Sequence, residues 1–254
     1  MNPASYGITI DPVGLTGNAA ATYKYKVGEH LLWIYRTITG KILFNSIKFH
    51  KVPVIIRPYT AGDCNALAGA ETVGGVFRAY VEYSPNTFSL HGACPANTSA
   101  QKSGLLWDEI LFHEMVHAFR RVSRKHNRAA LNLGLHRYTS NEEFYAVMVT
   151  NIYISDRSNK IKSGLRADHQ GFRPLAPELD EGFEFFSAGR QVFGLVEQFW
   201  NDHPGFSKRV AIDAYEAPFN PLADYNINKD KARRLSEEAG HRDLAGLIEQ
   251  ILGR

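Results

Sequence analysis

Cysteine is scarce in this 254-residue chain, and the chain has neither a long apolar run nor a dominant sign of charge. The two cysteines, Cys64 and Cys94, are too few for a disulfide-rich scaffold. Neither belongs to a CxxC pair, so cysteine ligands for a metal are not expected. They could form one disulfide in an oxidising compartment or stay as free thiols. No apolar segment approaches the roughly 20 residues of a membrane-spanning helix.

The charges are balanced, since 29 basic and 26 acidic side chains give a net charge of +3. A dedicated nucleic-acid binder would carry a basic stripe, so we expect no nucleic-acid partner. The N-terminus has no basic segment followed by an apolar one, which argues against a Sec-type signal. Residues 1–26 are small and polar, and they predict a flexible leader or an uncleaved signal for a specialised secretion system.

Residues 113–117 read HEMVH, a match to the HExxH pattern. On a helix, His113 and His117 lie one turn apart on the same face, where two imidazole nitrogens can bind one zinc ion. Glu114 follows the first histidine and could act as general base toward a water molecule. The pattern therefore predicts one Zn²⁺ per chain and hydrolytic chemistry.

The run SGLLWDEILFHEMVHAFRRVSRKH, residues 103–126, has no proline and predicts the helix that carries this motif. Leu106, Ile110 and the two histidines form one stripe, so the histidines should face inward and need a partner. A metal is one partner, and an ordinary amphipathic helix with two hydrogen-bonded histidines is the alternative. A basic group near the helix end is predicted to be solvated: Arg120, Arg121, Arg124 and Lys125.

A catalytic zinc needs a third protein ligand. Residues 138–146, YTSNEEFYA, open a second helical run and offer Glu143, which lies 26 residues after His117. Glu142 is the alternative ligand, because Asn141-Glu142 also matches an Asn-Glu arrangement of the thermolysin type. A structural role is open as well, because the sequence allows capping boxes that would use either glutamate at the helix start.

HExxH followed by the 138–146 segment resembles the zincin metallopeptidases of bacterial toxins, such as the protease domain of anthrax lethal factor, and type III secreted effector metalloproteases. The resemblance covers residues 105–155. It implies that His113, His117 and Glu143 bind zinc and that Tyr138 assists catalysis beside Glu114. Tyr138 precedes Glu143 by five residues, a shorter spacing than in lethal factor, and packing at a helix start is its alternative role.

These patterns predict an α+β fold of zincin type, with a small mixed or antiparallel sheet over the HExxH helix and a mainly helical C-terminal lobe. After the leader we expect a single metallopeptidase domain, residues 27–254. Its parts would be a sheet-rich lobe to about residue 102, active-site helices over 103–155 and a helical lobe over 156–254.

Smaller expectations concern the flanking segments. Residues 76–90 predict a hairpin or two edge strands, which could bind an extended substrate by strand addition. Residues 42–58 predict two short strands. The polar segment 165–172 could line the cleft, and its His169 is a candidate transition-state donor or a surface histidine. Helices are expected over 177–200 and 228–252.

The expected function is that of a zinc endopeptidase acting on a protein, which would be a host signalling protein or a protein of a competing bacterium. The resemblance implies a bacterial effector or toxin, made in the cytoplasm without a Sec signal and secreted by a specialised system into a target cell. The alternative is a non-catalytic, zinc-stabilised binding or regulatory protein. The sequence does not indicate an oligomeric state.

Overall fold

The structure, a computed structural model, describes residues 1–61, 65–87, 106–131, 138–157, 164–166 and 190–238. It is a mixed α+β fold with one four-stranded sheet, as the sequence predicts. Cys64, Cys94 and His169 lie outside the described residues, as do residues 167–172, 177–189 and 239–252 of the predicted segments. None of the described helices is long and apolar enough to cross a membrane.

The sheet has the order β1-β2-β4-β3 and is mixed in direction. Its strands are β1 (Ile8–Ile10), β2 (Val54–Arg57), β3 (Leu67–Val73) and β4 (Val76–Glu82). Strands β1 and β2, and likewise β2 and β4, pair in parallel, whereas β3 and β4 pair antiparallel. Gly74 and Gly75 join the hairpin with φ values of +57° and +80°, the positive φ values that a tight two-residue hairpin turn requires.

The described helices are α1 (Gly17–Tyr35), α2 (Ile38–His50), α3 (Trp107–Val122), α4 (Asn141–Asp156), α5 (Arg190–Asp202), α6 (Pro204–Asp213) and α7 (Pro221–Glu238). The last three confirm a helical C-terminal part within the described range. Helix α3 carries the HExxH motif and contacts β3, β4, α1, α2 and α4. All of α3 is buried except Trp107, Ile110 and Arg121, because neighbours surround it on nearly every side.

Two predictions about the first half of the chain need correction. Residues 1–26 are not a flexible leader: Ile8 of β1 is buried in the sheet, and α1 begins at Gly17. Of the two strands predicted over 42–58, the second is confirmed as β2, but residues 42–50 belong to α2, because their buried side chains recur with helical spacing. Thr37 caps this helix by accepting a hydrogen bond from the Gly40 amide.

The strand after Val76 is also placed differently from the prediction. Strand β4 lies inside the described sheet between β2 and β3, and it forms a hairpin with β3. Residues 88–90 of the predicted segment lie outside the described residues. Strand β3 is the edge strand beside α3. At Gly69 of β3 an added Cβ would lie 2.2 Å from the Tyr80 ring, so a side chain there would clash. The edge near the HExxH helix is therefore β3.

Candidate metal centre

Helix α3 brings the two motif histidines side by side, as their spacing predicts. The Nε2 atoms of His113 and His117 lie 3.1 Å apart, and the two rings are nearly perpendicular. Both side chains are buried. The helix runs from Trp107 to Val122, so the motif lies in its middle, and residues 103–105 of the predicted helix lie outside the described residues.

Helix α4 supplies a carboxylate to the same point. Ser140 caps α4, and its side chain accepts a hydrogen bond from the Glu143 amide. The Glu143 carboxylate points away from this cap, and its Oε2 lies 3.3 Å from the Nε2 of each histidine. The capping role and the role beside the histidines therefore belong to different atoms of Glu143, and they do not compete.

The three donor atoms form a nearly equilateral triangle with sides of 3.1–3.3 Å. A four-coordinate zinc ion with bonds of 2.0–2.1 Å has ligand atoms about 3.3 Å apart, so the donors fit one face of such a tetrahedron. Two imidazoles and one carboxylate are also the donor set of known catalytic zinc sites. His113, His117 and Glu143 could therefore hold a metal ion.

Glu142 lies on the other side of His117. Its Oε1 is 3.1 Å from the Nδ1 of His117, and its Oε2 accepts hydrogen bonds from the Arg120 side chain (2.8 Å) and the Asn127 amide (3.0 Å). Burial raises the pKa of Glu142, but the hydrogen bond with His117 and the charge of Arg120 bring it down to about 2. A carboxylate in this position can orient a metal-binding histidine. Glu142 also forms, with His117 and His126, a second group of side chains that could hold a metal ion.

Arg120 is fully buried, which corrects the prediction of a solvated helix end. Besides Glu142, its guanidinium donates to the Nε2 of His203 at 2.8 Å and to the Lys125 carbonyl. It also stacks 4.3 Å from the centre of the Tyr145 ring. Burial and the charge of Arg120 lower the pKa of His203 to about 3, so His203 is neutral and accepts the hydrogen bond. Arg120 thus fixes the carboxylate that supports His117.

Glu114 lines a cavity of about 410 Å³ together with His117, Glu142 and Glu143. Ala66 and the first two residues of the edge strand β3, Leu67 and Ala68, form part of its wall. Glu114 is 8% exposed, and burial raises its pKa to about 7. A carboxylate of this kind can exchange a proton near neutral pH. The cavity gives solvent or a ligand access to one side of the donor triangle.

The two histidines differ in pKa because their surroundings differ. Burial lowers the pKa of His113 to about 3. Burial also acts to lower the pKa of His117, but hydrogen bonds with Glu142 and Glu143 raise it to about 10. A proton on His117 therefore balances the carboxylates around it. A metal cation bound by the same Nε2 atom would take over that role.

Tyr138 is buried, and its ring packs edge-on against Phe144 at a centroid distance of 5.3 Å. It is not among the described residues that line the cavity. These contacts are those of a packed side chain, and the catalytic role that the resemblance implies for Tyr138 stays a prediction.

Arg166 is a buried neighbour of the site that the sequence indicated only as part of a polar segment. Its backbone pairs with the Asn151 side chain through two hydrogen bonds of 2.8 and 2.9 Å. Burial is the largest cause of the lowered pKa of His113, and the positive charge of Arg166 lowers it further. Only the tertiary fold reveals this proximity, since residue 166 is far from the motif in sequence.

No protein-family model, curated protein or solved structure matches this chain. The geometry of His113, His117 and Glu143 makes them a candidate His₂Glu metal centre. The likeness to zincins rests on the sequence motifs.

Proposed function

We propose that this protein is a zinc-dependent endopeptidase whose metal ligands are His113, His117 and Glu143. The observation that carries the proposal is the triangle of two Nε2 atoms and one carboxylate oxygen with sides of 3.1–3.3 Å, which lies beside the cavity that Glu114 lines. When bound, a zinc ion supplies Lewis acidity, which acidifies water and polarises the scissile carbonyl group.

The chain's own residues provide the proton transfers. Glu114 accepts a proton from the attacking water as its oxygen bonds to the carbonyl carbon, and it returns a proton to the leaving nitrogen as the C–N bond breaks. The pKa of Glu114, raised by burial to about 7, suits both directions of transfer. Glu142 and Arg120 hold the His117 ring in place throughout.

The edge strand β3 offers a means of binding an extended peptide. Its start lines the cavity, and in the described sheet only one of its sides is paired, with β4. A substrate segment could add to the other side through main-chain hydrogen bonds. We therefore propose that a substrate segment would pair with β3 and not with residues 76–90.

Metal content is the first test. We expect about one zinc per chain in purified wild-type protein, measured by mass spectrometry, and loss of that zinc in His117→Ala and Glu143→Ala. Circular dichroism would check that both variants fold. Absence of zinc from the wild type after reconstitution would contradict the proposal, and zinc retained in Glu143→Ala would remove Glu143 from the ligand set.

Activity is the second test. We expect zinc-loaded wild type to cleave members of a proteome-derived peptide library, and Glu114→Gln to cleave them about 10²–10⁴-fold more slowly because the general base is lost. The variant should keep its zinc, since Glu114 is not a proposed ligand. Equal behaviour of wild type and Glu114→Gln in every assay would instead favour the non-catalytic binding protein.

The resemblance to toxin zincins extends the proposal to a bacterial effector that cleaves a protein inside a target cell. Incubation of the zinc-loaded enzyme with target-cell lysate, followed by mass spectrometry of new protein N-termini, tests this extension. A small set of specific cleavages absent with Glu114→Gln would support it, and cleavage without protein selectivity would contradict it.

A further inference from the structure

Arg121 continues the stripe of α3 that carries the two histidines. It follows His117 by four residues, so it lies about 6 Å further along the helix axis on nearly the same face. It lines the same cavity as Glu114, together with Arg128 and His126. Burial lowers the pKa of His126 to about 4, so His126 is neutral at pH 7. The cation lobe of the cavity, defined here as Arg121 and Arg128, therefore carries two positive charges.

These two guanidinium groups have no ion pair or hydrogen bond among the described residues, and the buried Nε of Arg121 has no acceptor. Four other described arginines that are buried or half-buried differ from this pair. Carboxylates pair with Arg57, Arg78, Arg120 and Arg157. Burial and the neighbouring charge of Arg128 lower the pKa of Arg121, as expected for like charges held together.

The nearby carboxylates do not form ion pairs with this lobe. Glu142 is bound to Arg120 and His117, and Glu143 faces the two histidines. A pair of like charges at a cavity wall has an electrostatic cost. An incoming anion that accepts hydrogen bonds from both guanidinium groups would remove that cost.

We infer that Arg121 and Arg128 bind an anionic side chain of the substrate, located within two residues of the scissile bond. The inference rests on the proposed endopeptidase function. The distance follows from geometry, since an extended peptide advances about 3.3 Å per residue and Arg121 lies about 6 Å from His117 along α3. Aspartate, glutamate and phosphoserine share the required chemistry.

Peptide binding to Glu114→Gln protein in the presence of zinc tests the inference without turnover. Three fluorescent peptide pools would be identical except for one fixed central residue: aspartate, phosphoserine or asparagine. We expect the aspartate or phosphoserine pool to bind roughly five- to tenfold more tightly than the asparagine pool, and this ratio to fall as salt screens the charges. The tighter of the two anionic pools identifies the preferred anion.

Adding Arg121→Gln or Arg128→Gln should reduce the ratio toward one. Arg124→Gln is the matched control, because Arg124 lies two residues after the end of the same helix, stacks on Phe77 and does not line the cavity. It should leave the ratio unchanged. The melting temperature of Arg121→Gln should be unchanged or higher, because the substitution removes a charge that lacks a partner. Exposed Arg128 serves as the second variant if Arg121→Gln fails to fold.

Equal binding of all pools, or an anion preference that survives both substitutions, would overturn the inference. Failure of the proposed function looks different. If library peptides are cleaved but no acidic residue is enriched near the cut, the peptidase proposal stands and the cation lobe does not determine its specificity. An anion preference in a protein that cleaves nothing would retain the anion site and contradict the peptidase.

Discussion

The first turn of α3 and its middle both carry buried charged side chains, but the two groups are neutralised in different ways. At the first turn, Asp108 accepts hydrogen bonds from Arg157 and from the Tyr153 hydroxyl, and Glu109 accepts from Arg157 and from the Leu106 amide. We call this group the anchor cluster. Its carboxylates have donors from within the chain, so it ties the start of α3 to the end of α4.

The middle of α3 carries the second group of buried charged side chains. The Nε2 atoms of His113 and His117 and the Oε2 atom of Glu143 converge on one point, with distances of 3.1–3.3 Å between them. We call this group the donor cluster. Burial acts to lower the pKa of His117, but hydrogen bonds with Glu142 and Glu143 raise it, so a proton holds the place that a metal cation bound by the same three atoms would take. A cluster whose carboxylates already have hydrogen-bond donors has a structural role. A cluster in which imidazole nitrogens and a carboxylate oxygen converge is suited to binding a metal cation.

The largest stability effect should come from breaking the anchor cluster. Arg157→Met leaves Asp108 and Glu109 buried without their cation, and we expect a loss of about 3–5 kcal/mol in the free energy of unfolding. Urea unfolding would measure it. Arg209→Met is the control, because the exposed pair with Asp213 should contribute less than about 1 kcal/mol. Similar losses in both variants would refute a structural role for the anchor cluster.

His30 sharpens the comparison as a buried histidine that contacts a hydroxyl and no carboxylate. Its Nδ1 lies 2.9 Å from the Tyr83 hydroxyl, and burial lowers its pKa from 6.5 to about 4. Because the unfolded chain binds this proton first, the contribution of His30 to stability is complete above pH 6.5 and is lost as the pH falls toward 4.

This loss should reach about 3 kcal/mol, since the pKa falls from 6.5 to about 4. Unfolding free energies of wild type and His30→Gln, measured across that pH range, would show it as a difference between the two curves. Parallel curves would show that His30 does not have the lowered pKa. His117, whose pKa is raised, should not contribute in the same direction.

The smallest effect tests the support of the donor cluster. Glu142→Gln removes the charge behind His117 but leaves the three proposed ligands, so we expect zinc affinity to fall by about 10–100-fold with one zinc still bound per chain. A competition titration with a chelator measures this. Complete loss of zinc would make Glu142 a ligand, and unchanged affinity would make its contact with His117 irrelevant to the metal.

Local rules predicted much of the site. The four-residue spacing of His113 and His117 specified one helical face, and two candidate caps, Thr139 and Ser140, marked the start of α4, where the structure has Ser140 as the cap. The same rules misjudged residues 42–50 and the first 26 residues. The composition of these segments was compatible with more than one kind of structure, and the packing of α1, α2 and β1 made the choice.

The sequence by itself determined the HExxH pair, the helix that carries it and the two candidate glutamates. Only the tertiary structure placed the two glutamates, one on each side of His117. Adjacent residues on a helix point about 100° apart, so the way α4 packs on α3 directs Glu143 to the Nε2 atoms and Glu142 to the Nδ1 of His117. The burial of Arg120 was decided in the same way, because α5 and the loop after α3 close over it.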